Sequence, residues 1–158
     1  MTVIAEGAFL LTADGKPVNL EISDAQPHDK EWIKQVWDRR LGGFGLAWSW
    51  YWKQRELHFG AAADRQRWLV VRPVGFVHYY LRRDGWKTIH EIAVHKEFRR
   101  TGVGRALLRA VEAPIRLTTD ADNAESNEFY RREGFDLFDE KRSKKGKLMN
   151  IYIRREPW

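Results

Sequence analysis

The 158-residue chain has no cysteine. Disulfides, thiolate nucleophiles and cysteine metal sites are therefore excluded, and a cytoplasmic location is expected. No apolar run approaches the roughly 20 residues that cross a bilayer. Met1 to Leu11 lacks a basic start and a cleavage site, so no membrane partner and no export signal are expected. His28, His58, His78, His90 and His95 form no i, i+4 pair and no His-Glu-x-x-His, so no metal site is expected either. Internal repeats, low-complexity tracts and linkers are missing too, which makes residues 1–158 one domain. What the chain does have is 43% apolar residues, with eight Trp and eight Phe, enough for a real core.

Positive charge is local. Residues 141–155 hold Lys141, Arg142, Lys144, Lys145, Lys147, Arg154 and Arg155 with no acid, and without them the net charge of +6 falls to −1. Such a segment is either a solvated hairpin or a patch for an anionic partner such as nucleic acid.

Ala8 to Glu21 reads as two short strands around Asp14-Gly15. Asp29 is placed to cap a helix whose Trp32, Ile33, Val36, Trp37 and Leu41 make one apolar face, stopped by Gly42-Gly43. Residues 44–67 have no clean period and hold Trp48, Trp50, Tyr51 and Trp52. Strands follow at Arg67–Arg72, Val74–Leu81 and Lys87–Val94, then a helix, a strand at Ile115–Thr118, a helix at Asn123–Glu133, and strands near 135–140 and 147–154. Asp122 with Glu125 suggests a capping box, and Gly134 a helix stop. This order implies an α/β fold, a mixed twisted sheet with helices on both faces and an extra N-terminal hairpin.

Between the strand at 87–94 and the next helix stands Arg99-Arg100-Thr101-Gly102-Val103-Gly104-Arg105. Two glycines let the loop turn tightly and a ligand approach its backbone. The free N–H groups of a helix start, with three arginines beside them, suit a phosphate or pyrophosphate. No Gly-Lys-Ser/Thr follows and no third glycine is present, so neither the nucleoside-triphosphate loop nor the dinucleotide fingerprint applies.

Arg99 to Gly104, read as Arg-x-x-Gly-x-Gly, resembles the acetyl-coenzyme A loop of the GNAT family of N-acetyltransferases. A second segment supports this: Asn123, then Phe129-Tyr130, then Gly134-Phe135, in family order, with Ser126 where the family usually has Ala. The resemblance covers roughly residues 70–153. It implies the GNAT-like fold, with 1–27 as N-terminal strands, 28–67 as an acceptor-side helix and aromatic insert, and 68–158 as the acetyl-CoA-binding core. It also implies that acetyl-CoA is the cofactor. The backbone of Ile92 and Val94, and the side chain of Asn123, would then hydrogen-bond the pantetheine arm. The amides from Arg100 through Thr101, Gly102, Val103 and Gly104 to Arg105 would hold the pyrophosphate.

Acetyl transfer to an amine passes through a tetrahedral intermediate and needs a neutral amine, a stabilised oxyanion and a protonated leaving thiolate. The resemblance makes Tyr130 the acid that protonates the thiolate; an ordinary phenol keeps its proton at pH 7. For the base, strand alternation places Thr88, His90, Ile92 and Val94 on one face and Ile89, Glu91 and Ala93 on the other. Related enzymes carry a base on the face of Val94, which favours His90. A two-residue turn at Asp84-Gly85 would pair Tyr79 with His90 and His78 with Glu91, so a His78–Glu91 couple and a water relay stay open beside His90. Trp48, Trp50 and Trp52, with Tyr79, form either a hydrophobic flap or an aromatic acceptor pocket. The expected acceptor is a primary amine on a small molecule or peptide. An amino-modified base or aminoacyl-RNA, reached through the 141–155 segment, and a non-catalytic acyl-CoA-binding module are the alternatives. The terminal strand would allow a monomer or a homodimer.

Overall fold

A computed structural model describes residues 2–3, 21–40 and 65–158. Among the described residues the strands are β1 (Thr2–Val3), β2 (Glu21–Asp24), β3 (Gln66–Val71), β4 (Gly75–Leu81), β5 (Lys87–Val94), β6 (Ile115–Asp120), β7 (Asp136–Arg142) and β8 (Leu148–Arg154). The helices are α1 (Lys30–Arg40), α2 (Val103–Arg109) and α3 (Ala124–Arg132). The strands lie in the order β1-β2-β3-β4-β5-β6-β8-β7, antiparallel throughout except between β5 and β6. A parallel pair needs a crossover, and α2 supplies it. The expected turn at Asp14-Gly15, the glycine pair after α1 and the whole tryptophan insert (Trp48, Trp50, Trp52) lie outside the described residues.

Two cores sandwich the sheet. On one side, Val77, Ile89, Ile92, Leu117 and Tyr152 pack against Val103, Leu107 and Leu108 of α2 and Tyr130 of α3. On the other, Trp68, Val70, Phe76 and Ala93 pack against Ile33, Val36 and Trp37 of α1. Each such aliphatic side chain stabilises the fold by roughly 1.5–3 kcal/mol. Gly75 sets how closely α2 approaches: a Cβ there would come within 2.9 Å of Val103 Cγ1 and 3.0 Å of Leu107 Cδ1.

The expected Asp29 cap is corrected: a 3-10 turn over Pro27–Asp29 leads into α1, Gln26 is its N-cap, and Asp29 sits three residues inside. Its carboxylate is fully buried and accepts from the Gln26 N–H at 2.8 Å, Trp32 Nε1 at 2.7 Å and Arg72 Nε at 2.9 Å. It thus ties the start of α1 to the end of β3. At α3 the cap is Asn123, whose Oδ1 accepts from the Ser126 N–H at 3.1 Å. The expected Asp122–Glu125 box is corrected, because the helix starts one residue later and exposed Asp122 lies near Lys147 instead. Gly134 stops the helix as expected, at φ 83°, with Phe135 N–H closing on Tyr130 O at 2.9 Å.

Candidate active site

Parallel pairing between β5 and β6 runs from Lys87↔Ile115 to Ile89↔Leu117 and goes no further, although the strands continue to Val94 and Asp120. Both sides of the break are held firmly. β5 stays paired to β4 up to Gly75↔Val94, and β6 to β8 up to Asp120↔Met149. A wedge therefore opens in the middle of the sheet, with Ile92 and Val94 on its β5 edge.

At the mouth of this wedge lies the glycine loop. Arg100 has φ 63° and Gly102 φ 92°, a left-handed conformation that suits glycine. Gly102 starts α2 with no side-chain cap, and the first helical bond runs from Ala106 N–H to Gly102 O at 3.0 Å. The N–H groups of Val103, Gly104 and Arg105 precede that bond and so have no intrahelical acceptor, as at any helix start. Thr101 Oγ1 donates to Phe98 O and pins the turn from behind. The space beside Gly102 is open, whereas a Cβ on Gly104 would lie 3.5 Å from Val94 Cγ2 and 3.9 Å from Phe129 Cζ. Gly104 therefore lines the passage between β5 and α3.

Arg99 and Arg100 are exposed and have no ion-pair partner among the described residues. Arg105 differs from the expectation. Its Nε lies 3.2 Å from Glu133 Oε1, and Arg109 Nε lies 3.2 Å from Glu133 Oε2. Its guanidinium clamps α2 to the end of α3 and is directed away from the loop.

Asn123 uses only its Oδ1 as a cap, and its Nδ2 makes no hydrogen bond among the described residues. Tyr130 is buried, with ring centroids 5.3 Å from Phe129, 5.8 Å from Phe135 and 5.8 Å from Tyr152. Between these two residues stands Asn127, which sequence reasoning missed. Its Oδ1 accepts from Tyr152 Oη at 2.6 Å and Asn150 Nδ2 at 2.8 Å. Its Nδ2 donates to Asn123 O at 2.7 Å and Asp120 O at 3.0 Å. A single buried amide thus joins α3, the end of β6 and β8. The available signal was spacing: Asn127 falls four residues after Asn123 and three before Tyr130, on the buried stripe.

Strand parity fails at His90. His78 pairs with Glu91 as expected, but Tyr79 pairs with Ile89, leaving His90 as an extra residue in a bulge. Ile89 and Ile92 both enter the α2-side core, while His90 turns to the α1 side with its ring centroid 5.0 Å from that of His78. Ladder partners share a face, so Glu91 joins His78 there. His90 and Glu91 therefore share the α1 face, opposite Ile92 and Val94, which corrects the expected alternation. Tyr79 packs against the α2-side core, and Tyr80 is the tyrosine near His90, at 6.4 Å. Tyr79, expected among the acceptor residues, thus lies on the opposite face from His90. His78 is fully buried, stacked on Trp68 at 4.1 Å with Nε2 2.6 Å from Gln66 Oε1.

The basic segment forms the β7–β8 hairpin, and three of its seven cations are held by ion pairs or hydrogen bonds. Lys147 Nζ lies 2.7 Å from Asp120 Oδ2, and that hydrogen bond raises the pKa of the ammonium. Arg142 donates to Gly146 O at 2.9 Å, and Arg154 donates to Glu133 O at 3.2 Å and lies 4.0 Å over Trp158. No helix among the described residues is long and apolar enough to cross a membrane.

The fold is a mixed α/β sheet, split beside a glycine loop, with helices on both faces. Residues 58–137 match the family model described as "Acetyltransferase (GNAT) domain". The chain belongs to the GNAT acetyltransferase family, whose acyl donor is acetyl-CoA. A crystal structure of a GNAT-family acetyltransferase from Desulfovibrio desulfuricans superposes with a TM-score of 0.70 at 17% identity, covering 85% of this chain and 98% of that one. NAA60 from Arabidopsis thaliana in complex with acetyl-CoA gives 0.67 at 15% identity, over 86% and 99% of the two chains. Ard1 from Thermoplasma volcanium gives 0.64 at 22% identity, over 85% and 95%. At such identities the likeness defines the fold. No curated protein matches the chain by sequence.

Proposed function

We propose that the chain transfers acetyl from acetyl-CoA directly to a primary amine. The observation that carries this reading is the wedge between β5 and β6, which opens beside the glycine loop and connects the two faces of the sheet. The residues present fit the cofactor: the amides of Gly102–Arg105 and the guanidinium groups of Arg99 and Arg100 suit a pyrophosphate. The β5 edge at Ile92 and Val94 and the amide of Asn123 suit a pantetheine arm. When bound, acetyl-CoA supplies an activated thioester.

The remaining tasks divide by face. The bulge takes His90 off the face of Val94, the ground on which the sequence favours it; its place on the α1 side, with Glu91 and His78 beside it, is what supports it as the group that takes the proton of the amine. Tyr130, on the α2 side, holds the proton that the departing sulfur requires. Base and acid thus reach the wedge from opposite sides. A nucleic-acid acceptor receives less support, because Lys147, Arg142 and Arg154 of the basic hairpin are engaged within the fold.

Calorimetric titration of acetyl-CoA, followed by a thiol-release assay over a panel of primary amines, tests the reading. Binding with turnover is expected. Absence of acetyl-CoA binding refutes the cofactor assignment, and binding without turnover of any amine refutes the transferase.

A further inference from the structure

Arg82, Thr88, Arg116, Leu117, Thr118 and Lys141 line an open basin of about 250 Å³. Thr88 sits opposite Tyr80 on β4 and opposite Arg116 on β6. The basin therefore lies on the face that carries Tyr80 and His90, next to the point where β5 and β6 part.

Its charge is one-sided. Three cations and two hydroxyl groups line it, and among the described residues no carboxylate does. The side chains of Arg116 and Lys141 make no ion pair or hydrogen bond among the described residues. Arg82 contacts Asp84 at 3.2 Å, but both side chains are about half exposed in that surface pair. Asp120, farther along β6, is held by Lys147. Like charges gathered in a depression and left uncompensated raise a positive potential over it. A guanidinium fork with hydroxyl donors beside it matches the oxygens of a carboxylate or phosphate.

We propose that this basin, built by Arg116, Lys141 and Arg82 with Thr88 and Thr118, binds an acidic group of the acceptor, so that the substrates are acidic amines. The inference rests on the acetyltransferase reading and narrows it. Thr88 of the basin stands two residues before His90, about 7 Å along a strand that rises about 3.3 Å per residue, which is the reach the proposal assigns between acid and amine. An α-amino acid, whose two groups share one carbon, is too short. An acid several bonds from the amine fits.

The test measures thiol release from acetyl-CoA with 6-aminohexanoate, 4-aminobutyl phosphate and hexylamine, three chains that differ in the distal group. At least one acid should show a KM about tenfold below that of hexylamine, the worth of one charge-assisted contact; which acid is favoured separates carboxylate from phosphate. Arg116→Gln and Lys141→Gln should each raise the KM of that acid by a similar factor while leaving its kcat and the hexylamine KM within about twofold. Equal KM values for acidic and neutral chains, or equal effects of the substitutions on both, overturn the basin and leave the transferase intact. If acetyl-CoA binds but no amine turns over, calorimetric titration of the same two acids into the acetyl-CoA-loaded protein decides. Binding abolished by Arg116→Gln keeps the basin while the transferase fails, and no binding ends both. A short single-stranded oligonucleotide that displaces the acids and itself depends on Arg116 and Lys141 replaces the small acceptor with nucleic acid.

Discussion

Arg105 Nε lies 3.2 Å from Glu133 Oε1, so the cation closest to the glycine loop in sequence belongs to a helix-to-helix clamp. Arg105→Gln should therefore lower stability by about 1 kcal/mol, a fall of about 2–4 °C in melting temperature. Its acetyl-CoA affinity should stay within about twofold of the parent, because exposed pairs of this kind act locally. Arg100→Gln should do the reverse, weakening acetyl-CoA about tenfold at unchanged stability. Calorimetry and thermal unfolding on both variants check the assignment; a larger affinity loss at Arg105 would mean that its guanidinium turns onto the ligand.

Removing the acid and the base should give different signatures. Tyr130→Phe should lower kcat about 100-fold with little change in acetyl-CoA affinity. His90→Ala should lose activity at neutral pH and recover part of it at high pH, where an amine with an ordinary pKa near 10.4 deprotonates unaided. Glu91→Gln measured alongside shows which side chain on that face carries the proton. A pH profile for His90→Ala that parallels the parent's would transfer the role to Glu91 or to water.

Asn127→Leu should cost about 2–4 kcal/mol, since it leaves the Tyr152 hydroxyl and the Asn150 amide buried without their acceptor. Adding Tyr152→Phe should restore part of that loss, because the orphaned hydroxyl goes with it. Chemical unfolding of the two single variants and the double variant reads the coupling directly, and strict additivity would show that the hydrogen bond contributes nothing.

Burial holds the Tyr79 phenol above its ordinary pKa, with nearby Arg67 opposing the shift. The folded protein thus keeps this proton longer than the unfolded chain does. Its contribution is complete below about pH 10 and is lost as pH rises through the folded value. Tyr79→Phe should flatten the alkaline limb of the stability–pH curve and leave the neutral region unchanged. Thermal unfolding across the alkaline range checks this, and an unaltered limb would assign the loss to other groups.

Much of this architecture was legible in the order of residues because its signals are local. β5 matched its expected bounds, and Gly134 marked the end of α3 through a backbone conformation that disfavours other residues. What escaped depends on partners far away in the chain. The bulge at His90 is a property of the ladder between β4 and β5, and nothing within Lys87–Val94 announces an extra residue; strict alternation then put His90 on the wrong face. Arg105 looked like a phosphate ligand because its neighbours are glycines, whereas Glu133 lies 28 positions on. Asn127 was hidden inside a recognised motif whose flanking residues drew the reading.

Gly75 bears on the wedge without touching a ligand. The methyl group it lacks would press on Val103, the first residue of α2 and a neighbour of both loop glycines. A side chain on β4 would thus act as a shim, lifting the loop from the strand that borders the cofactor passage. The clearance of that passage is gauged by a residue nearly 30 positions before the loop and on a different strand from its edge, so a motif confined to the loop describes only half of the grip.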